Sequence, residues 1–128
     1  MATGDDLADL KNVMMEFIAD LRRIFTSRDE QRDLMLIELY FDNLSNGRIM
    51  QHMIKKVLPY ASIIVERDAN FFINHDSLFQ TLPKFRARHY IEFWKGTEGK
   101  TLSPENKNAI WAYFDTILEI VKGYKKIN

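Results

Sequence analysis

The sequence predicts an all-α fold, a compact single-domain bundle of five or six helices spanning residues 1–128. Three observations carry that prediction. Apolar residues recur at three- and four-residue spacing near both ends of the chain. Caps and stops punctuate the stretches between, at Ser27, Pro59, Pro83 and Ser103-Pro104. Composition is ordinary for a globular chain, 46% hydrophobic and 28% charged over 128 residues, enough to bury a core without metals or disulfides.

Leu7, Leu10, Met14, Phe17, Ile18, Leu21, Ile24 and Phe25 share one helical face, with Asp9, Asn12, Glu16, Asp20 and Arg23 opposite. They predict a first helix from Asp5 to Phe25, whose early acids suit the positive end of its dipole. Ser27-Arg28-Asp29-Glu30 has the form of a capping box. The run that follows it, Leu34 to Phe41, is apolar on nearly every side, which predicts burial on every side. A second, central helix ending near Asn46-Gly47 is therefore expected, with a buried strand as the alternative for this run.

Gly47 would close that helix, and Ile49, Met53, Ile54 and Val57 suggest a third, ended by Pro59. Residues 62–74 are open between one short broken helix and a β-like hairpin. β-Branched Ile63-Ile64-Val65 and aromatic Phe71-Phe72 favour strands, whereas a lone hairpin is marginally stable; the reading leans helical. Asp76 can cap a short turn through Leu78 and Phe79, stopped by Pro83. Lys84 to Lys95 reads as a helix, apolar at Phe85, Tyr90, Ile91, Phe93 and Trp94. Gly96 to Thr101 is a loop. Ser103 then caps a last helix with Pro104 at its first position. Its broad face of Ile110, Trp111, Tyr113, Phe114, Ile117, Leu118, Val121 and Tyr124 should pack along the central second helix.

Net charge is zero, but residues 1–42 hold ten acids against five bases and the remainder thirteen bases against eight acids. This asymmetry can present a basic face to an anionic partner or hold the two halves together. The chain has no cysteine, so disulfides and thiolate chemistry are excluded. Apolar runs fall far short of the ~20 residues of a membrane span, and residues 1–9 do not resemble a secretion signal. An intracellular protein with no membrane partner is expected.

Catalytic signals are absent. His52, His75 and His89 lack metal-ligand spacing. His75-Asp76 suits a turn, and there is no Gly-x-Ser-x-Gly elbow. Gly96-x-x-Gly99-Lys100-Thr101 lacks the spacing of a phosphate loop. The acids fall mainly on solvated faces, leaving no general acid–base pair. The expectation is no enzyme, no cofactor and no metal.

Two surfaces remain as candidates. Lys84, Arg86, Arg88, His89 and Lys95 interleave bases with Phe85 and Tyr90, a pattern able to contact phosphates and stack on bases, or to meet an acidic protein. On a helix, Lys84 and Arg88 share one face while Arg86 and Tyr90 share another. A pI near 6.8 is low for a dedicated nucleic-acid binder. Met50, His52 and Met53 form the second candidate, an adaptable protein interface or homodimer face if exposed.

Phe93-Trp94, then a Gly/Thr loop, then Leu102-Ser103-Pro104-Glu105-Asn106-Lys107, Ile110-Trp111, Tyr113 and Leu118 together resemble a C-terminal module of giant nucleocytoplasmic DNA virus proteins, in the small form found in marseillevirus-like amoebal viruses. The resemblance covers residues 85–122, and more loosely the helix containing Glu16, Phe17, Asp20 and Leu21. It brings no catalytic residues. It implies a non-enzymatic viral interaction or structural protein, acting on host or viral proteins in infected cytoplasm or nucleus or packaged in the virion. An accessory nucleic-acid-binding role for 84–95 is the alternative.

Overall fold

In the computed structural model residues 4–73, 82–97 and 99–127 are described, and every regular element among them is helical. The all-α expectation therefore holds, with five helices of 11 to 24 residues and shorter helical turns between them. α1 (Gly4–Ile24) buries Leu10, Met14, Phe17, Ile18 and Leu21 and exposes Asp9, Asn12 and Glu16, as its spacing requires.

α2 (Arg28–Asp42) begins at Ser27, where the capping box closes in both directions. The Glu30 amide donates to Ser27 Oγ at 3.2 Å, and the Ser27 amide donates to Glu30 Oε1 at 3.0 Å. Gln31 Nε2 donates back to the Arg22 and Phe25 carbonyls, so one side chain satisfies open acceptors at the end of α1. Ser27→Ala is expected to cost about 1 kcal/mol, read by calorimetry as a fall in Tm of roughly 4 °C.

α2 stops at Asp42, earlier than Asn46-Gly47. Asn43 Nδ2 donates to the Leu39 carbonyl at 2.7 Å and Lys11 Nζ to the Asp42 carbonyl at 3.1 Å. Ser45 then caps α3 (Asn46–Lys56) by accepting the Arg48 amide. Gly47 thus lies in the first turn of α3 rather than closing α2; the serine cap outweighs the glycine signal. Pro59 ends α3 as expected, within a 3-10 turn over Leu58–Tyr60.

Residues 61–73 resolve in favour of helix, as α4 (Ala61–Val65) and α5 (Asn70–Ile73). Between them Arg67 takes a left-handed conformation, φ 58°, and Asp68 Oδ1 accepts the Asn70 amide at 2.9 Å. The turn expected around Asp76, Leu78 and Phe79, with His75, lies outside the described residues. α6 (Lys84–Lys95) ends at Gly96, whose φ of 72° is the left-handed closure that glycine adopts most cheaply. α7 (Pro104–Ile127) starts at Ser103, whose Oγ accepts the Asn106 amide.

α1 packs against α2, α3 and α7, so α1, and not α2, is the central helix, and α7 lies along α1. The expectation that α2 is buried on every side is overturned. Leu34, Ile37 and Phe41 are buried, but Met35, Leu36, Leu39 and Tyr40 are exposed. Its neighbours cover α2 from one side only, and apolarity around a helix records no coverage by itself. Where α5, α6 and α7 converge, Phe72 stacks on Trp94 at 4.0 Å and 12° and meets Trp111 at 4.8 Å and Phe114 at 5.3 Å. No helix among the described residues is long and apolar enough to cross a membrane.

Candidate functional site

The exposed side of α2 is an apolar stripe. Met35, Leu36, Leu39 and Tyr40 sit at i, i+1, i+4 and i+5 and keep 45%, 52%, 50% and 38% of their surface in solvent. That spacing sets them on adjacent turns of one face. Single exposed apolar side chains are common, but a contiguous group marks a contact surface.

The stripe runs into an open groove of about 270 Å³ between the end of α2 and α3, lined by Tyr40, Leu44, Arg48, Gln51, His52 and Lys55. Tyr40 belongs to both. Arg48, Gln51, His52 and Lys55 follow i, i+3, i+4 and i+7 along α3, so one helix face forms the polar wall. Five other basic side chains of the surface have carboxylate partners, in Arg22–Glu38, Arg23–Asp20, Arg32–Asp29, Arg67–Asp115 and Lys100–Glu92. Arg48 and Lys55 have none among the described residues. His52 packs its ring edge to face on Phe41 at 5.8 Å, and its shielded Nε2 has no hydrogen-bond partner among the described residues. Burial, then Lys56 and Lys55, push its pKa below the usual 6.5, so the imidazole is neutral at pH 7.

A second polar constellation joins α2 to α6. Asp33 Oδ2 accepts from Arg86 Nε at 2.9 Å, Arg86 Nη2 at 2.5 Å and the Tyr90 hydroxyl at 2.7 Å. One turn earlier Glu30 Oε2 lies 2.6 Å from His89 Nε2. An ionised carboxylate only accepts, so the imidazole proton sits on Nε2. Glu30 and Asp33 are buried, two exceptions to the expectation that the acids lie mainly on solvated faces. The charges compensate one another, and the cluster latches α6 onto α2 across more than fifty residues of chain.

This latch also sorts the five basic-segment residues. Arg86 and His89 turn inward to Asp33 and Glu30 and cannot face an anionic partner at the same time. Lys84, Arg88 and Lys95 are exposed. Phe85, expected on the apolar face of α6, is instead 70% exposed, because the helix buries Ala87, Tyr90 and Trp94. Met50 and Met53 are core residues rather than interface, and only half-buried His52 of that trio borders a groove. Trp111 and Ile110 are buried, and Tyr113 stacks on Phe17 at 4.8 Å while its hydroxyl donates to Asp20. No group of three or more metal-ligating side chains is assembled among the described residues.

The latch titrates at both ends of the pH scale. Burial pulls the Glu30 carboxyl upward, but the His89 contact and the Ser27 amide and hydroxyl outweigh it and hold the carboxyl below its usual 4.5. The unfolded chain therefore takes up this proton first. Its contribution is full above pH 4.5 and drains away as acid titrates the folded carboxylate. Burial, then the hydrogen bond to Asp33, raises Tyr90 well above the ordinary 10, and burial followed by Asp20 pushes Tyr113 up to about 12. Both stay protonated in the fold, so their contribution is full below pH 10 and is lost above it, where the unfolded chain ionises. Absorbance at 295 nm should show two of the five tyrosines resisting ionisation until the protein unfolds.

No protein-family model matches the chain, and no curated protein or solved structure is significantly similar to it.

Proposed function

We propose that the protein is a non-enzymatic interaction module that works by protein–protein contact through the exposed face of α2. The observation that supports this reading is the contiguous stripe Met35, Leu36, Leu39 and Tyr40, left open to solvent beside a groove. A side chain of that kind gains about 1.5–3 kcal/mol when fully buried, so docking a partner has a ready source of free energy. A setting in infected cells, in cytoplasm, nucleus or virion, follows from the resemblance of residues 85–122 alone.

A photocrosslinking residue at position 39 tests the reading in infected-cell lysate, with the same residue at exposed position 119 of α7 as control. Discrete adducts at 39 but not at 119, lost in Leu36→Glu, are expected. Identical adducts from both positions would sink the assignment. Because Leu36 is exposed, its replacement should leave stability within about 0.5 kcal/mol.

A second reading rests on α6, where Phe85 is exposed next to Lys84 and Arg88, with Lys95 two turns on. An aromatic between cations can stack on a base while the cations meet phosphates. Binding of single-stranded oligonucleotide should then fall with salt at a log–log slope of roughly −2 for three phosphate contacts. It should weaken in Phe85→Ala and Arg88→Ala but be indifferent to Leu36→Glu. Absence of binding at low salt removes this reading.

A further inference from the structure

We infer that the α2 stripe and the α3 wall together receive an acidic amphipathic helix of a partner protein, its apolar side on Met35, Leu36, Leu39 and Tyr40 and its carboxylates on Arg48 and Lys55. The inference rests on the α2 reading above and adds the chemistry of the occupant.

Three features fix that chemistry. The stripe spans residues 35–40 along one helix, about 7.5 Å of rise, which suits the i, i+3, i+4, i+7 anchors of a second helix laid beside it. The wall is of one sign. Arg48 and Lys55 line the groove, no acid lines it, and neither cation has a carboxylate partner among the described residues. Exposed cations without an ion pair among the described residues also occur on α6, at Lys84, Arg88 and Lys95, but Arg48 and Lys55 are the ones that line the groove into which the apolar stripe runs. His52 sits in the same wall, its pKa lowered by burial and then by Lys56 and Lys55, so it stays neutral beside the two cations.

A second copy of the chain is the less favoured occupant, for reasons of symmetry. α3 and α6 border α2 on the same flank, through Phe41 and His52 near one end and through Glu30, Asp33, Arg86 and His89 near the other. A two-fold axis that packs two α2 stripes antiparallel sets like flank against like flank. The cationic α3 wall of each copy would then oppose the α6 end of the other, which exposes Lys84 and Arg88. A basic or neutral helix gains nothing from the wall. An acidic one gains both burial and charge pairing, and the charge also steers its approach.

The test uses the full chain and two synthetic peptides, one helical with a leucine stripe flanked by glutamates, the other its twin with lysines in their place. Amide-resolved NMR titration reads both position and affinity. The glutamate peptide should shift amides of residues 35–40 and 48–55 and bind about tenfold more tightly than its twin, as two rim ion pairs of ordinary strength would give. Arg48→Glu with Lys55→Glu should invert that preference with the fold unchanged, while Leu39→Glu should weaken both peptides. Equal affinities, shifts confined to α6, or a concentration-dependent dimer in sedimentation that Leu39→Glu dissolves would each overturn the inference. Position-39 adducts that persist in the charge-reversed variant would overturn the acidic occupant while leaving the α2 contact surface standing.

Discussion

Asp33→Ala should destabilise the protein by about 3 kcal/mol, because it removes the acceptor shared by Arg86 and Tyr90 and leaves a partly buried guanidinium and a buried hydroxyl without their partner. In a domain of this size that is a fall in Tm of roughly 10 °C. Arg86→Met should cost a similar amount for the reciprocal reason, since it strands a carboxylate that is 6% exposed. The triple replacement Asp33→Leu, Arg86→Met, Tyr90→Phe should recover most of the loss, because an apolar set of similar volume needs neither charge compensation nor hydrogen bonds. Chemical denaturation of the four proteins checks the pattern. Single variants within 0.5 kcal/mol of the parent would mean that α6 is held by its aromatic contacts alone.

Phe72→Ala should cost about 4 kcal/mol, within the range for deleting a buried phenylalanine. The ring is 4% exposed, stacks on Trp94, and touches Trp111 and Phe114, so its removal loosens α5, α6 and α7 from one another at once. These are the only two tryptophans in the chain, and the vacated volume borders both. Their emission should therefore shift to the red as stability falls. Phe72→Leu, which keeps most of the volume but not the stacking, should lose noticeably less. A penalty below 1 kcal/mol for the alanine would show that the neighbouring rings collapse into the space.

What could be read from the chain divides by range. Periodicity and caps are local, so α1, α6 and α7, the Ser27–Glu30 box and the Ser103 cap were all legible, and so was the split of Lys84 and Arg88 from Arg86 and Tyr90. Competing local signals misplaced the end of α2, where Gly47 looked like a stop and Ser45 acts as a start. Coverage is not local. Leu36 and Leu39 are indistinguishable in type from Leu34 and Ile37, and which of them face solvent depends on where α1, α3 and α6 come to rest. Glu30 illustrates the same limit. Its Oε1 partner is three residues away and was foreseen, whereas its Oε2 partner is His89, fifty-nine residues away. Nothing in the spacing of 30 and 33 announces 86, 89 and 90. Met50 and Met53 were set beside His52 by sequence proximity, but the helix turns the two methionines into the core.

The open side of α2 also bears on solubility. Residues 34–41 read Leu-Met-Leu-Ile-Glu-Leu-Tyr-Phe, with Glu38 as the only charge, a composition that pairs readily with its like once extended. In the folded chain, helical hydrogen bonding occupies the backbone and only half of the run meets solvent. If α2 loosens before the rest, nearly all of it is offered to neighbouring chains, with little charge to keep them apart. Refolding yield should consequently fall as protein concentration rises. Leu36→Lys or Leu39→Lys, which add a gatekeeper charge at an already exposed position, should raise that yield.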